Sequence, residues 1–255
     1  MKKILITGAN GFIGRNLISR LNSYKGQYQV YAFDIENTKE DLRNFTKDCD
    51  FVFNFAAVHR PKDVCEFDKV NHVFFDDLLE KLKEHGNFCP VLYTSSIQAT
   101  NGTEYGNSKL SAEQDLRDYE KQTGGKAIVY RLTNTFGKWA TPNHHSVVAT
   151  FCYNLIRGIP LYISDKNHKM QFYYIDDVID SFISQIQGNA VADEDGIYRL
   201  SEDKIFNITL GELVLLLTEI KEESRGKQIV KKGPLIKERL RETYLSYLNE
   251  YENNK

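Results

Sequence analysis

Ile4-Leu5-Ile6 runs directly into Thr7-Gly8-Ala9-Asn10-Gly11-Phe12-Ile13-Gly14, and an amphipathic stretch follows to Leu21. An apolar, β-branched run that meets glycine and then takes up helical periodicity predicts a strand, a tight turn and a helix. The alternation recurs along the first half. Residues 29–33, 51–55, 91–94 and 127–132 read as strands; 39–46, 68–84 and 105–121 read as helices. Continuously apolar strands separated by helices predict a parallel sheet covered on both faces. Ligands of such sheets bind beyond the carboxyl ends of the strands, which is where chemistry is to be sought.

After Gly137 the pattern changes. A polar, aromatic loop spans 138–145. A helix over 146–157 is stopped by Gly158 and Pro160. A strand over 172–174 and a helix over 176–187 follow. Thr209-Leu210-Gly211-Glu212 has capping-box spacing ahead of another helix, and 234–249 reads as the last, with a frayed tail over 252–255. The predicted organisation is residues 1–137 with 171–195 as one domain, and 138–170 with 196–255 as a smaller, mostly helical substrate-binding region.

Composition excludes several classes. The 255 residues carry 33 Lys+Arg against 35 Asp+Glu, a formal net charge of −2. A nucleic-acid-binding face would show as a basic excess, so no nucleic-acid partner is expected. No apolar run approaches the roughly 20 residues of a membrane span, and the N-terminal apolar run is too short for a signal-peptide core. Cys49, Cys65, Cys89 and Cys152 are scattered without metal-ligand spacing, which suits reduced thiols in a cytoplasmic protein. No metal site is expected. His144-His145 reads as a polar loop, and Asp176-Asp177 at a helix start serves the helix dipole.

The glycine turn has a specific chemical use. Gly8 supplies the tight turn, Gly11 admits a pyrophosphate to the backbone, and Gly14 lets the helix pack closely on the sheet. The spacing is GxxGxxG rather than GxGxxG. Asp34 ends the second strand twenty residues after Gly14, where a carboxylate can accept hydrogen bonds from adenosine ribose hydroxyls. The expected architecture is therefore an α/β, Rossmann-like doubly wound parallel sheet that binds a dinucleotide, NADP(H) or NAD(H).

Tyr105-Gly106-Asn107-Ser108-Lys109 places a phenol and an ammonium four residues apart, on one helix face. The ammonium is expected to stabilise phenolate and lower the tyrosine pKa, so that the phenol exchanges a proton with an alcohol or carbonyl. Ser95-Ser96 ends the preceding strand, where a hydroxyl can bond the same oxygen.

These motifs resemble the extended short-chain dehydrogenase/reductases of the NAD-dependent epimerase/dehydratase family. The resemblance runs from Met1 to about Leu217. It includes the glycine turn, Asn54-Phe55-Ala56-Ala57, Asn71, Thr94-Ser95-Ser96, Tyr105 to Lys109, Arg131 to Asn134 and Tyr174 to Val178. Segments such as 95–100, 136–139, 142–153 and 243–248 are similar, within the family, to reductases of capsular polysaccharide synthesis. The resemblance implies reduction of the C4 ketone of a UDP-4-keto-6-deoxy-amino-sugar. Ser96, Tyr105 and Lys109 would be catalytic, with Tyr105 the general acid. Gly8, Asn10, Gly11, Phe12, Ile13, Gly14, Asp34, Ala56, Ala57, Asn71 and Lys109 would hold the cofactor. Asn134 would meet the pyrophosphate, and Ser95, His59, Arg60, Lys138, Trp139, Asn143 and Ser146 are the further substrate candidates. A homo-oligomer is expected, as is a C-terminal metal-binding cupin domain in longer relatives.

Two departures bear on the reaction. Family dehydratases carry Asp-Glu after the catalytic hydroxyl, whereas this chain has Ile97-Gln98, which cannot shuttle a proton; 4,6-dehydration is disfavoured. The arginine common before Phe-x-Tyr is replaced by Met170-Gln171, leaving Lys169 as a substitute cation. Two alternatives to the reductase stay open: an NAD-dependent 4-epimerase, and a nicotinamide-binding sensor without catalysis. Retention of Ser96, Tyr105 and Lys109 argues against the sensor.

Overall fold

The computed structural model describes residues 1–57, 73–144, 146–226 and 233–254. Two compact units divide the chain: Met1–Leu132 with Ser181–Arg199, and Thr133–Asp180 with Leu200–Lys255.

The first unit contains β1 (Lys2–Thr7), α1 (Phe12–Ser23), β2 (Tyr28–Phe33), α2 (Lys39–Thr46), β3 (Phe51–Asn54), α3 (Phe74–Glu84), β4 (Val91–Ser96), α4 (Glu104–Thr123) and β5 (Ala127–Leu132). The five strands form one parallel sheet in the order β2-β1-β3-β4-β5. The chain crosses from β2 back over β1 to reach β3, so the strand order reverses between β1 and β3. That reversal opens a crevice beyond the carboxyl ends of both strands, occupied by Gly8 on one side and Phe55-Ala56 on the other. Ile4, Leu5, Ile6, Val52, Phe53, Val91 and Leu92 are at most 1% exposed, as strands covered on both faces must be. Segment 181–199 belongs here because Phe182 packs on Phe53 and Phe55, and Tyr198 bridges Tyr130.

In the second unit, β6 (Asn134–Phe136), β7 (Lys169–Tyr174) and β8 (Phe206–Thr209) make a small mixed sheet, β7 being central. Four helices accompany it: α5 (Val147–Arg157), α6 (Ile175–Ile186), whose later half passes into the first unit, α7 (Leu210–Ser224) and α8 (Leu235–Asn253). The expected Thr209/Glu212 capping box is formed, each partner satisfying the other's backbone N–H.

The differences from the sequence reading are local. Strands β6 and β8 are three and four residues long, too short for periodicity to announce. Strands β6 and β7 fall in the second unit because β7 pairs with β6 and β8, not with the main sheet, so the segments 133–137 and 171–180 lie there rather than in the first domain, while 196–199 lie in the first unit. Helix α8 continues to Asn253, past the expected end at 249 and into the expected frayed tail. No helix among the described residues is long and apolar enough to cross a membrane.

Candidate active site

The glycine turn is shaped by contacts that only glycine permits. Gly8 has φ +64°, and a Cβ on it would lie 2.8 Å from the Ala56 nitrogen and the Phe55 carbonyl carbon. A Cβ on Gly14 would fall 2.4 Å from the Gly8 oxygen. The turn thus packs its backbone directly on the segment after β3 and on the first turn of α1. Gly11 is the N-cap of α1 and brings no capping side chain, so the positive end of the helix faces outward through bare backbone. Phe12 and Ile13 form that first turn, and both are half-buried. This cradle fits a pyrophosphate.

Asp34 ties the end of β2 to the same turn. Its carboxylate accepts the backbone N–H of Asn10 at 2.6 Å and that of Ile35 at 2.9 Å. Asn10 in turn donates its amide to Glu36 at 3.3 Å. On the β3 side, the Thr7 hydroxyl bonds the Asn54 amide oxygen and accepts from the Ala56 N–H at 3.3 Å, which fixes Ala56 and half-buried Ala57 beside the turn. Asn71, His59 and Arg60 lie outside the described residues, as does His145.

Beyond the end of β4 the structure brings Ser96, Tyr105 and Lys109 together. Thr103 caps α4 by accepting from the Gly106 N–H at 3.1 Å, which starts the helix so that Tyr105 and Lys109 stand one turn apart. Gly106 is required here: a Cβ on it would meet the Gln98 carbonyl oxygen at 2.3 Å. Ser96 ends β4, and its Oγ accepts from the Gln98 N–H at 3.1 Å, opening a single 3₁₀ turn at Ile97–Thr100. Lys109 is 2% exposed; its Nζ donates to the Thr94 carbonyl at 3.0 Å and lies 4.9 Å from the centre of the Tyr93 ring and 5.9 Å from that of Tyr105.

The electrostatics differ from the sequence expectation. Burial pushes the Tyr105 phenol up to about 12, against the opposing effect of its hydrogen bond with Ser96. Burial also draws the Lys109 ammonium down to about 7, with Glu113 acting the other way. Burial penalises phenolate and ammonium alike, and Tyr105 moves up, not down as expected from the sequence. The tyrosine therefore holds its proton at neutral pH. Such a phenol is a proton donor, suited to an oxygen on which negative charge develops.

Ser95 does not join this group. Successive strand residues face opposite ways, and the Ser95 hydroxyl donates to Glu113 instead. Glu113, Thr94 and Tyr93 were not among the sequence candidates. The only hint was Glu113's place four residues beyond Lys109.

The other candidates lie in the second unit. Asn134 on β6 donates its amide to the Gln171 carbonyl at 3.2 Å. Lys138 Nζ stands 4.7 Å from the centre of the Trp139 ring. Trp139 and Asn143 have φ of 69° and 59°, so the loop takes the left-handed region twice without glycine. Tyr247 of α8 holds that loop by donating to the Ala140 carbonyl. Ser146 is buried as the N-cap of α5 and accepts from the Ala149 N–H at 3.3 Å. Lys169 starts β7 and is exposed.

Residues 4–201 match the family model described as "NAD dependent epimerase/dehydratase family". The chain belongs to that family. A UDP-2-acetamido-2,6-beta-L-arabino-hexul-4-ose reductase from Pseudomonas aeruginosa is 38% identical over 97% of this chain. The crystal structure of the capsular polysaccharide assembling protein CapF from Staphylococcus aureus is 35% identical over 98% of this chain, with a TM-score of 0.87. The chain spans 65% and 66% of the lengths of these two proteins, just under two thirds. A Thermotoga maritima UDP-glucose 4-epimerase, 21% identical, shares the fold with a TM-score of 0.80 over 98% of this chain and 99% of its own.

Proposed function

We propose that this chain reduces the C4 ketone of a UDP-4-keto-6-deoxy-amino-sugar with a reduced nicotinamide dinucleotide, as a step in the supply of capsule or other surface polysaccharide precursors. One observation carries the reading: a phenol kept protonated by burial, bonded to Ser96 and one turn from Lys109, follows a strand of the same parallel sheet whose first strand leads into a turn that fits a pyrophosphate. The likeness to the Pseudomonas reductase supports the substrate class.

The dinucleotide, when bound, supplies the hydride. The residues Gly8, Asn10, Gly11, Phe12, Ile13 and Gly14 would cradle its pyrophosphate, Asp34 would accept from the adenosine ribose, and Ala56, Ala57 and Lys109 would line the nicotinamide end. Ser96 and Tyr105 would both address the ketone oxygen. Tyr105 gives up its phenolic proton as charge gathers there, and Lys109 stabilises the phenolate left behind. Ile97 and Gln98 cannot move a proton at the neighbouring carbons, which leaves the chemistry at C4. Asn134, Lys138, Trp139 and Asn143 are the candidates for nucleotide-sugar contacts. Ser146 has its hydroxyl committed to the α5 cap. The setting would be cytoplasmic and the assembly a homo-oligomer.

The test is stoichiometric. The purified chain is incubated with NADH or NADPH and a panel of UDP-4-keto sugars, and reduced-nicotinamide absorbance is followed beside product formation. One cofactor oxidised per C4 alcohol formed is expected. Sugar conversion without net cofactor consumption would replace the reductase with a 4-epimerase.

A further inference from the structure

Glu113 is 2% exposed and lies one turn beyond Lys109 on α4. Its Oε1 accepts from Arg131 Nε at 2.9 Å and from the Ser95 hydroxyl, and its Oε2 accepts from Arg131 Nη2 at 2.7 Å. Ser95 and Arg131 are register partners on β4 and β5, so the carboxylate is gripped from two neighbouring strands. Bidentate pairing with a guanidinium fixes its direction as well as its place. Lys109 is as deeply buried, and its ammonium needs compensation that the Thr94 carbonyl alone does not give. Among the described residues no carboxylate bonds it directly. The Tyr93 ring beneath it is held by stacking on Phe75, with centroids 4.9 Å apart and planes 16° apart.

We propose that Glu113 is a positioning residue for Lys109: anchored by Arg131 and Ser95, its carboxylate keeps the lysine charged and seated between the Thr94 carbonyl and the Tyr93 face. The purpose of that charge rests on the reductase reading; the electrostatics belong to the protein alone. Burial works against the ammonium, and Glu113 is the group that opposes it. Among the described residues, the titratable and charged groups facing Lys109 are Tyr105 and Glu113 from α4 and Tyr93 from β4, with Arg131 of β5 behind Glu113. Arg131 carries the opposite charge behind Glu113 and should act on Lys109 in the other direction, although the two form one ion pair.

The opposition of signs is what separates positioning from mere structural support. The protein is labelled with ¹³C-lysine, the Lys109 signal is identified by its loss in Lys109→Met, and its titration is followed by NMR. Glu113→Gln should lower the Lys109 midpoint by about one pH unit, and Arg131→Met should raise it. Glu113→Asp should restore most of the wild-type value. Midpoints that move the same way in both variants, or not at all, overturn the proposal. Should Glu113→Gln fail to fold, the double variant Glu113→Gln/Arg131→Met, which buries no lone charge, decides. A midpoint below wild type supports the proposal, and one at or above wild type overturns it. Keto-sugar reduction is measured in parallel. Its absence in the wild type would count against the reductase alone, since the NMR midpoints judge Glu113 without turnover.

Discussion

The carboxylate of Asp34 accepts the backbone N–H of Asn10 at 2.6 Å, binding the end of β2 to the glycine turn. The negative charge therefore stands at the turn itself, and Glu36 adds a second through the Asn10 amide. A 2′-phosphate brought there meets two like charges. The wild type should bind NADH more tightly than NADPH. Asp34→Ala should narrow the difference by roughly tenfold, about 1.4 kcal/mol, while loosening the turn for both. Fluorescence titration of the two cofactors against both proteins checks it; much tighter NADPH binding by the wild type would refute this role for Asp34.

Gly8 and Gly26 both have positive φ, +64° and +74°, but only Gly8 is crowded; a Cβ on Gly26 would meet nothing within 4 Å. Gly26→Ala should cost only the left-handed backbone conformation, about 1 kcal/mol. Gly8→Ala should cost more, because the Phe55-Ala56 backbone cannot recede, and it should also abolish detectable dinucleotide binding. Urea unfolding and cofactor titration of both variants make the comparison.

The main sheet was legible because each of its strands holds an apolar run of three or four residues, and each helix between them announces itself by period or cap. The proximity of the candidate pair was legible for the same local reason, since Tyr105 and Lys109 sit one helical turn apart. What the sequence concealed is long-range or environmental. Ser95 and Ser96 are adjacent and alike, and it is the packing of α4 against β4 that gives Ser95 a partner in Glu113. The buried environment of Tyr105 depends on tertiary packing, and it reversed the expected direction of the pKa change. Likewise β6 and β8 owe their existence to pairing with β7 rather than to any pattern of their own.

Lys109 links activity and stability in opposite senses. Its ammonium is drawn down to about 7 in the folded chain, against an ordinary value of 10.5. Between those values the unfolded chain binds more protons, so folding stability should rise as pH is raised from 7 toward 10.5. Activity that needs the ammonium should fall over the first part of that window. Lys109→Met should flatten the stability rise and be the more stable protein at pH 7. Urea unfolding at a series of pH values tests this; a wild-type stability that falls above pH 7, with Lys109→Met following it, would contradict the placement of the charge.

Tyr105→Phe removes the transferable proton and leaves the ring, its burial and the α4 helix in place. Dinucleotide affinity should hold within about twofold, because the glycine turn and Asp34 are untouched. Keto-sugar reduction should fall roughly 10²–10⁴-fold, the usual worth of a general acid. Ser96→Ala should cost less, since in the proposed reaction Ser96 would aid the same oxygen without supplying the proton. The wild-type rate should not improve as pH is raised toward 12, because the proton donor is lost there rather than gained. Steady-state rates for the three proteins, with cofactor binding measured separately, test the assignment. Near-wild-type turnover in Tyr105→Phe would move the acid elsewhere, whereas equal losses in Tyr105→Phe and Ser96→Ala would mean that the hydroxyl pair acts only as a unit.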